Sequence, residues 1–186
     1  MTRSLVLGLE AVMADGTVIS AMNKMVKNNS GYDLKHLFIG SEGTLGIVTR
    51  VVVQLQPKLR SCHTALCTLE DYDSVTQLLG ELKRSLGAGL TGFELMWDNY
   101  LDKVLEVVPD LQNPFAEPHP FYLLVEYKDS HEAAGAERFE NALFAHLEAG
   151  LITDAVIAQS HKDAENFWQI RDGIGELLQV LGPVSN

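Results

Sequence analysis

Two groups of residues in this chain have types and spacings that could do chemistry. The first is the stretch Lys27–Thr49, in which Gly40, Gly43 and Gly46 alternate with the small hydroxyl residues Ser41 and Thr44 and lead into Ile47-Val48-Thr49. Glycines this close together let a backbone take φ > 0 and approach a ligand with no Cβ between them. A turn of successive N–H groups also forms a concavity for an anion. The stretch therefore reads as a loop for a polar or phosphorylated ligand, feeding directly into a buried strand, and the competing reading is a tight structural turn. It is not a P-loop, because no Gly-Lys-Ser/Thr closes it. It is not a dinucleotide fingerprint either, because the glycines fall one residue short and a strand follows where a helix should begin.

The second group lies near the C-terminal end. Trp168, Arg171 and Gly175 share one face of a predicted helix, beside an apolar face of Phe167, Ile170, Ile174, Leu177 and Leu181. An arginine at the edge of an apolar face can take a carboxylate bidentately. The alternative is an ion pair with Glu94 or another acid of the same region. Other chemistries lack their residues. The histidines at 36, 63, 119, 131, 146 and 161 form no metal-ligand pattern, so no metal site is expected. Ser41 sits in Gly40-Ser41-Glu42-Gly43, which is not a nucleophile elbow. Cys62 and Cys67 are separated by an odd number in a predicted strand, so they point to opposite faces and no mutual disulfide is expected. Both read as reduced thiols of a reducing compartment, taken here as the cytoplasm. Asn28-Asn29-Ser30 is formally a glycosylation acceptor, which matters only in a secreted protein.

The elements that must position these residues follow from periodicity. Leu5–Met13 is a strand, and Asp15-Gly16 turns it into a hairpin with Val18-Ile19-Ser20. With little sequence ahead of it to pack against, that first strand is either an edge strand or part of a larger fold. Tyr32–Phe38 is one or two helical turns that Asp33 can cap. Gly46–Leu55 is a β-branched strand stopped by Pro57. From residue 61 strands and helices alternate: strand Ser61–Leu69, helix Asp71–Leu86, strand Leu90–Met96, helix Asp98–Val108, a proline-bearing loop Pro109–Pro120, strand Phe121–Tyr127, helix His131–Ala149, strand Leu151–Ala158 and helix Lys162–Leu181. This order fits a parallel doubly wound sheet or a ferredoxin-like antiparallel layer with helices on one face.

Composition narrows the partners. The net charge of −11 argues against nucleic acid and anionic membranes, and no apolar run is long enough to span a bilayer. The charge is uneven. Residues 1–60 hold seven Lys/Arg and four Asp/Glu, net +3, and residues 61–186 hold seven and twenty-one, net −14. This shift marks a boundary near residue 60, and a mildly basic first segment suits an anionic cofactor.

At residues 27–49 the pattern becomes specific. Asn-Ser-Gly-Tyr-Asp-Leu (29–34) followed by Gly-Ser-Glu-Gly-Thr-Leu-Gly-Ile-Val-Thr (40–49) resembles the FAD-linked oxidases of the vanillyl-alcohol oxidase (PCMH) type. Within that superfamily the likeness is to the group acting on D-lactate, glycolate and D-2-hydroxyglutarate. Leu9–Gly16, Phe93-Glu94-Leu95-Met96 and Phe167-Trp168-Gln169-Ile170-Arg171 carry the resemblance along the rest of the chain. It implies an α+β fold: residues 1–59 as the end of a PCMH-type FAD-binding domain, and residues 60–186 as an incomplete, ferredoxin-like C-terminal substrate domain. It implies FAD as cofactor, contacted by Glu42, Gly43, Thr44, Leu45, Gly46, Ile47 and Val48, with Ile47 and Val48 beside the flavin and pyrophosphate. It implies that Arg171 holds the carboxylate of a 2-hydroxy acid near flavin N5. The family's upstream glycine-rich half and downstream histidine-rich stretch have no counterpart here, so the segment is expected to hold less than half of such an enzyme and to be inactive alone. Gly175 stands where the D-2-hydroxyglutarate branch tends to have Thr, which bears on dicarboxylate specificity. The expected function is oxidation of a 2-hydroxy acid by hydride transfer to flavin, in a homo-oligomer. The alternative is a non-catalytic module that only folds or self-associates.

Overall fold

The computed structural model describes residues 2–27, 31–109 and 111–181. Residues 28–30, which belong to the glycine-bearing stretch and include the glycosylation acceptor, and the side chain of Leu181 lie outside the described set. The chain divides into two compact units, Met1–Pro57 and Lys58–Asn186.

The first unit is a three-stranded antiparallel sheet, β1 (Val6–Val12), β2 (Val18–Ala21) and β3 (Ile47–Val53), in the order β2-β1-β3. The β1–β2 hairpin forms as the Asp-Gly signal predicts. Asp15 Oδ1 accepts from Thr17 N at 2.9 Å, Met13 N donates to Thr17 O at 2.8 Å, and Gly16 takes φ 83°. β1 is the central strand, not an edge, because β3 returns along its free side with Val12 opposite Ile47. Val6, Leu9, Ala11 and Phe38 form the small core. Phe38 comes from α1 (Lys35–Phe38), a single turn. Asp33 does not cap it: Leu34 holds the cap position and the Asp33 carboxylate pairs with Lys35 and His36 instead. Arg3 closes the other end, donating to the His36 and Ile39 carbonyls at 2.8 and 2.6 Å. β3 differs from expectation in burial. Ile47, Val48, Val51 and Val53 are all exposed, since β-branched residues favour the strand conformation without dictating what covers it.

The second unit is a four-stranded sheet of β4 (Ser61–Leu69), β5 (Leu90–Trp97), β6 (Phe121–Asp129) and β7 (Asp154–Ile157) in the order β5-β6-β4-β7. Every pairing is antiparallel, which rules out the doubly wound alternative and gives the ferredoxin-like order. On one face lie α2 (Tyr72–Leu86) and α4 (Glu132–Glu148). Val75, Leu78, Leu82, Leu86, Phe139 and Leu143 pack there on Ala65, Cys67, Leu69, Leu123, Val125 and Tyr127. Asp71 caps α2 through Ser74 N at 2.7 Å, and the Tyr127 and Phe139 rings stack at 6.0 Å. The expectation of helices on one face needs correction. α3 (Asp98–Val107) and α5 (His161–Asp172) cover the opposite face, where Leu101, Phe167 and Ile170 pack with Phe115 on Leu66, Met96, Tyr122 and Leu124. The unbroken run of buried residues Tyr122–Tyr127 on β6 is what a strand covered on both faces requires.

Two further boundaries differ. β7 starts at Asp154 because the chain after α4 wraps tightly, with Gly150 at φ 72° and both Leu151 N and Ile152 N donating to His146 O. The predicted final helix is two helices, α5 and α6 (Ile174–Leu181), separated at Gly173. A Cβ on Gly173 would lie 2.6 Å from Val104 Cγ1, so the chain at the break packs closely on α3 and leaves room there only for glycine. Among the described residues no helix is long and apolar enough to cross a membrane.

Cys62 and Cys67 face opposite sides of β4, both free. Burial raises the Cys67 thiol to about 12. Cys62 is exposed, and its thiol is raised less, by partial burial and the neighbouring Glu126. A chromogenic disulfide reagent is expected to titrate one thiol in the native chain and two in denaturant. Two rapidly reacting thiols in the native chain would contradict the placement of Cys67.

Candidate functional site

The glycine loop belongs to the first unit. Ser41 N donates to Phe38 O at 3.2 Å and Thr44 N to Ser41 O at 3.0 Å, and Thr44 Oγ1 also reaches Ser41 O at 2.6 Å. The loop needs left-handed backbone at three positions: Gly40 at φ 87°, Glu42 at 50° and Gly43 at 79°. The glycines have different reasons for being there. A Cβ on Gly43 would meet nothing within 4 Å, so its backbone is open to an approaching group. A Cβ on Gly46 would lie 2.7 Å from Val12 O, so Gly46 serves the approach of β3 to β1. Glu42, Gly43, Thr44 and Leu45 are exposed, as are Ile47 and Val48 on β3. The backbone at Gly43 is thus open, and Leu45, Ile47 and Val48 present exposed apolar side chains, those of Ile47 and Val48 on opposite faces of β3.

Arg171 belongs to the second unit, in the last turn of α5. Its Nε and Nη2 both donate to Glu94 Oε2, at 3.0 and 2.8 Å, and its Nη1 donates to Asp172 Oδ1 at 2.8 Å. The ion pair with Glu94 offered by the sequence as the alternative reading is thus formed. Guanidinium carries five N–H donors. Among the described residues three are engaged, leaving one on each terminal nitrogen. The side chain is 40% exposed, so those donors are open to a ligand. Its hydrogen bonds to Asp172 and then to Glu94 push the Arg171 pKa further up, which keeps it cationic.

Neighbouring groups fix this corner. The Tyr100 hydroxyl on α3 lies 3.0 Å from the Ile170 carbonyl and 2.7 Å from that of Arg171, holding the end of α5. Gly92 on β5 lets Trp168 come down onto the sheet, since a Cβ there would lie 2.9 Å from Glu126 Cβ and 3.4 Å from Trp168 Cζ2. Beyond it the buried Glu126 accepts from Thr91 Oγ1 at 2.7 Å and pairs with Lys128 at 2.7 Å. Burial opposes ionisation of Glu126, and hydrogen bonds from Lys128, Thr91 and Cys62 outweigh it and hold the carboxyl below its usual value. Tyr100 and the Thr91–Glu126–Lys128 group were not singled out from the sequence. The alternation Thr91-Gly92-Phe93-Glu94 was the available signal, since it places Gly92 and Glu94 on one face of β5. Gly175 falls on α6, past the break, and so does not continue the helix face of Arg171. Among the described residues no three His, Cys, Asp or Glu side chains cluster as a metal site would.

Residues 58–184 match the family described as FAD linked oxidases, C-terminal domain. The chain belongs to the FAD-linked oxidases. It is 48% identical over 179 residues to the mitochondrial D-2-hydroxyglutarate dehydrogenase of Arabidopsis thaliana, covering 96% of this chain and 32% of that protein. With the mitochondrial D-2-hydroxyglutarate dehydrogenase of Rattus norvegicus it shares 38% identity over 182 residues, covering 98% of this chain and 34% of that one. The chain therefore spans about one third of the length of these relatives. In fold it resembles p-cresol methylhydroxylase crystallised with substrate bound, at a TM-score of 0.62 and 12% identity over 93% of this chain and 40% of the other. The expected cytoplasmic placement is overturned, because the Arabidopsis and rat relatives are named mitochondrial enzymes.

In this FAD-linked oxidase segment, Gly46→Ala is expected to destabilise the first unit by roughly 1–3 kcal/mol, as overpacking against backbone does. Faster hydrogen exchange at the Val12 and Ile47 amides reads this, and unchanged exchange would show that β3 does not depend on that close approach.

Proposed function

We propose that this chain is the central segment of an FAD-dependent oxidoreductase that oxidises a 2-hydroxy acid of the D-2-hydroxyglutarate, D-lactate or glycolate type to the corresponding 2-oxo acid. Residues 1–59 are the end of the FAD-binding domain, and residues 60–186 are part of the substrate domain. The observation that carries the reading is Arg171: a cation held by acids on one side, with N–H donors left on both terminal nitrogens, in a chain of the FAD-linked oxidase family. Spare N–H donors on a permanent cation suit a carboxylate in hydrogen bonding and in charge.

Each unit then has one task. In the first, Glu42–Val48 offers FAD an open backbone at Gly43 and apolar side chains from Leu45, Ile47 and Val48. FAD, when bound, supplies the two-electron acceptor. In the second, Arg171 takes the substrate carboxylate and thereby orients the adjoining carbinol carbon, which restricts its motion before reaction. Oxidation removes a hydride from that carbon and a proton from its hydroxyl. The names of the relatives support the 2-hydroxy acid class. A homo-oligomer is part of this reading.

In the complete oxidoreductase, Arg171→Ala is expected to lower kcat/KM for the 2-hydroxy acid by roughly 2–4 kcal/mol of transition-state stabilisation, as loss of a charged pair with the ligand does. Steady-state kinetics on protein with an unchanged flavin absorbance band measure it. Unaltered kinetics would return Arg171 to a purely structural ion pair, and a complete protein without flavin would remove the reading altogether.

A further inference from the structure

We propose that Glu94 is the positioning residue for Arg171: it sets the orientation in which the guanidinium meets a carboxylate. The inference rests on the reading of Arg171 as the carboxylate-binding group. Arg171 sits one residue from the end of α5, just before the break at Gly173, where a long side chain has many rotamers available. Glu94 has no such freedom in its backbone, because β5 is paired along its length with β6 and Glu94 stands opposite Leu124.

The contact is specific in form. Both Nε–H and Nη2–H converge on a single oxygen, Glu94 Oε2. This engages the Nε–Nη2 edge of the fork and leaves one spare N–H on each of Nη1 and Nη2. Asp172, adjacent in sequence, takes one Nη1–H and cannot by itself define the plane. The strand supplies a second constraint through Gly92, two residues away on the same face, where the missing Cβ lets Trp168 lie against the sheet one helical turn before Arg171. Glu94 is 36% exposed, so its role is orientation of a charged partner and not support of a core.

A double-mutant cycle in the complete flavin-loaded oxidoreductase tests this. Glu94→Gln is expected to raise KM for the 2-hydroxy acid about tenfold with a much smaller change in kcat, leaving flavin content and melting temperature unaltered. In an Arg171→Ala background, Glu94→Gln is expected to change KM no further. If Arg171→Ala raises KM and Glu94→Gln does not, the positioning role is wrong while the carboxylate site stands. If Glu94→Gln raises KM equally with and without Arg171, Glu94 acts by another route and the proposal fails. If Arg171→Ala leaves KM unchanged, the site reading itself falls and this inference with it. One measurement needs no variant. In the unmutated 186-residue chain the Arg171 Nε–H is expected to exchange more slowly with water than that of Arg50 or Arg84, whose side chains are 67% and 70% exposed. Equal exchange rates would also overturn the proposal.

Discussion

The second unit depends on the burial of β6 on both faces. Tyr122 through Tyr127 are buried in succession, and a strand in that position needs a layer of helix above and below it. The ordinary ferredoxin-like connections supply only one, α2 and α4. The second layer has to come from additional chain, and α3 and α5 provide it. The position of Arg171 follows. α5 lies on the sheet because Phe167 and Ile170 are needed against Leu66, Tyr122 and Leu124, and its last turn then reaches the polar end of the same face. There Glu94, Glu126, Lys128 and Arg171 are brought together, and each must find a partner because unpaired charge near a sheet is costly.

Much of this fold was legible from pattern. β4 and α2 agree with the sequence to within a residue; for α2 a capping Asp71 and a 3.6-residue apolar stripe point the same way. What was not legible has a physical cause in each case. A glycine inside a helical pattern carries only a modest local penalty, so Gly173 does not announce a break by itself; its close approach to Val104 on α3 exists only in the fold. Asp33 and Asp71 look alike in sequence, yet only Asp71 caps. Lys35 and His36 follow Asp33 closely and take its carboxylate, whereas Asp71 has no such cation nearby in sequence. The valines of β3 mark a strand correctly and burial wrongly, since composition reports backbone preference and not what lies over the side chain.

The site was legible unevenly for the same reason. Glycine spacing located the loop but not the division of labour within it. Gly43 is there for its backbone conformation and openness, and Gly46 for a contact of 2.7 Å that only the folded β1–β3 pairing creates. Arg171 could be read either as a carboxylate ligand or as half of an ion pair. The two are not exclusive, because a five-donor cation can serve an acid on its side edge and a ligand on its end.

Charge counting carries this one step further. Around Arg171 stand two acids, Glu94 and Asp172, so the local sum is already negative before a substrate arrives. A carboxylate on the free end of the fork makes three anions about one cation. A dicarboxylate adds a fourth charge, within a region of net charge −14 over residues 61–186. Partial exposure screens these repulsions without reversing their sign. Arg171 alone therefore gives direction more than affinity. In the proposed reading, a second substrate carboxylate needs a further cation beyond this cluster to be held.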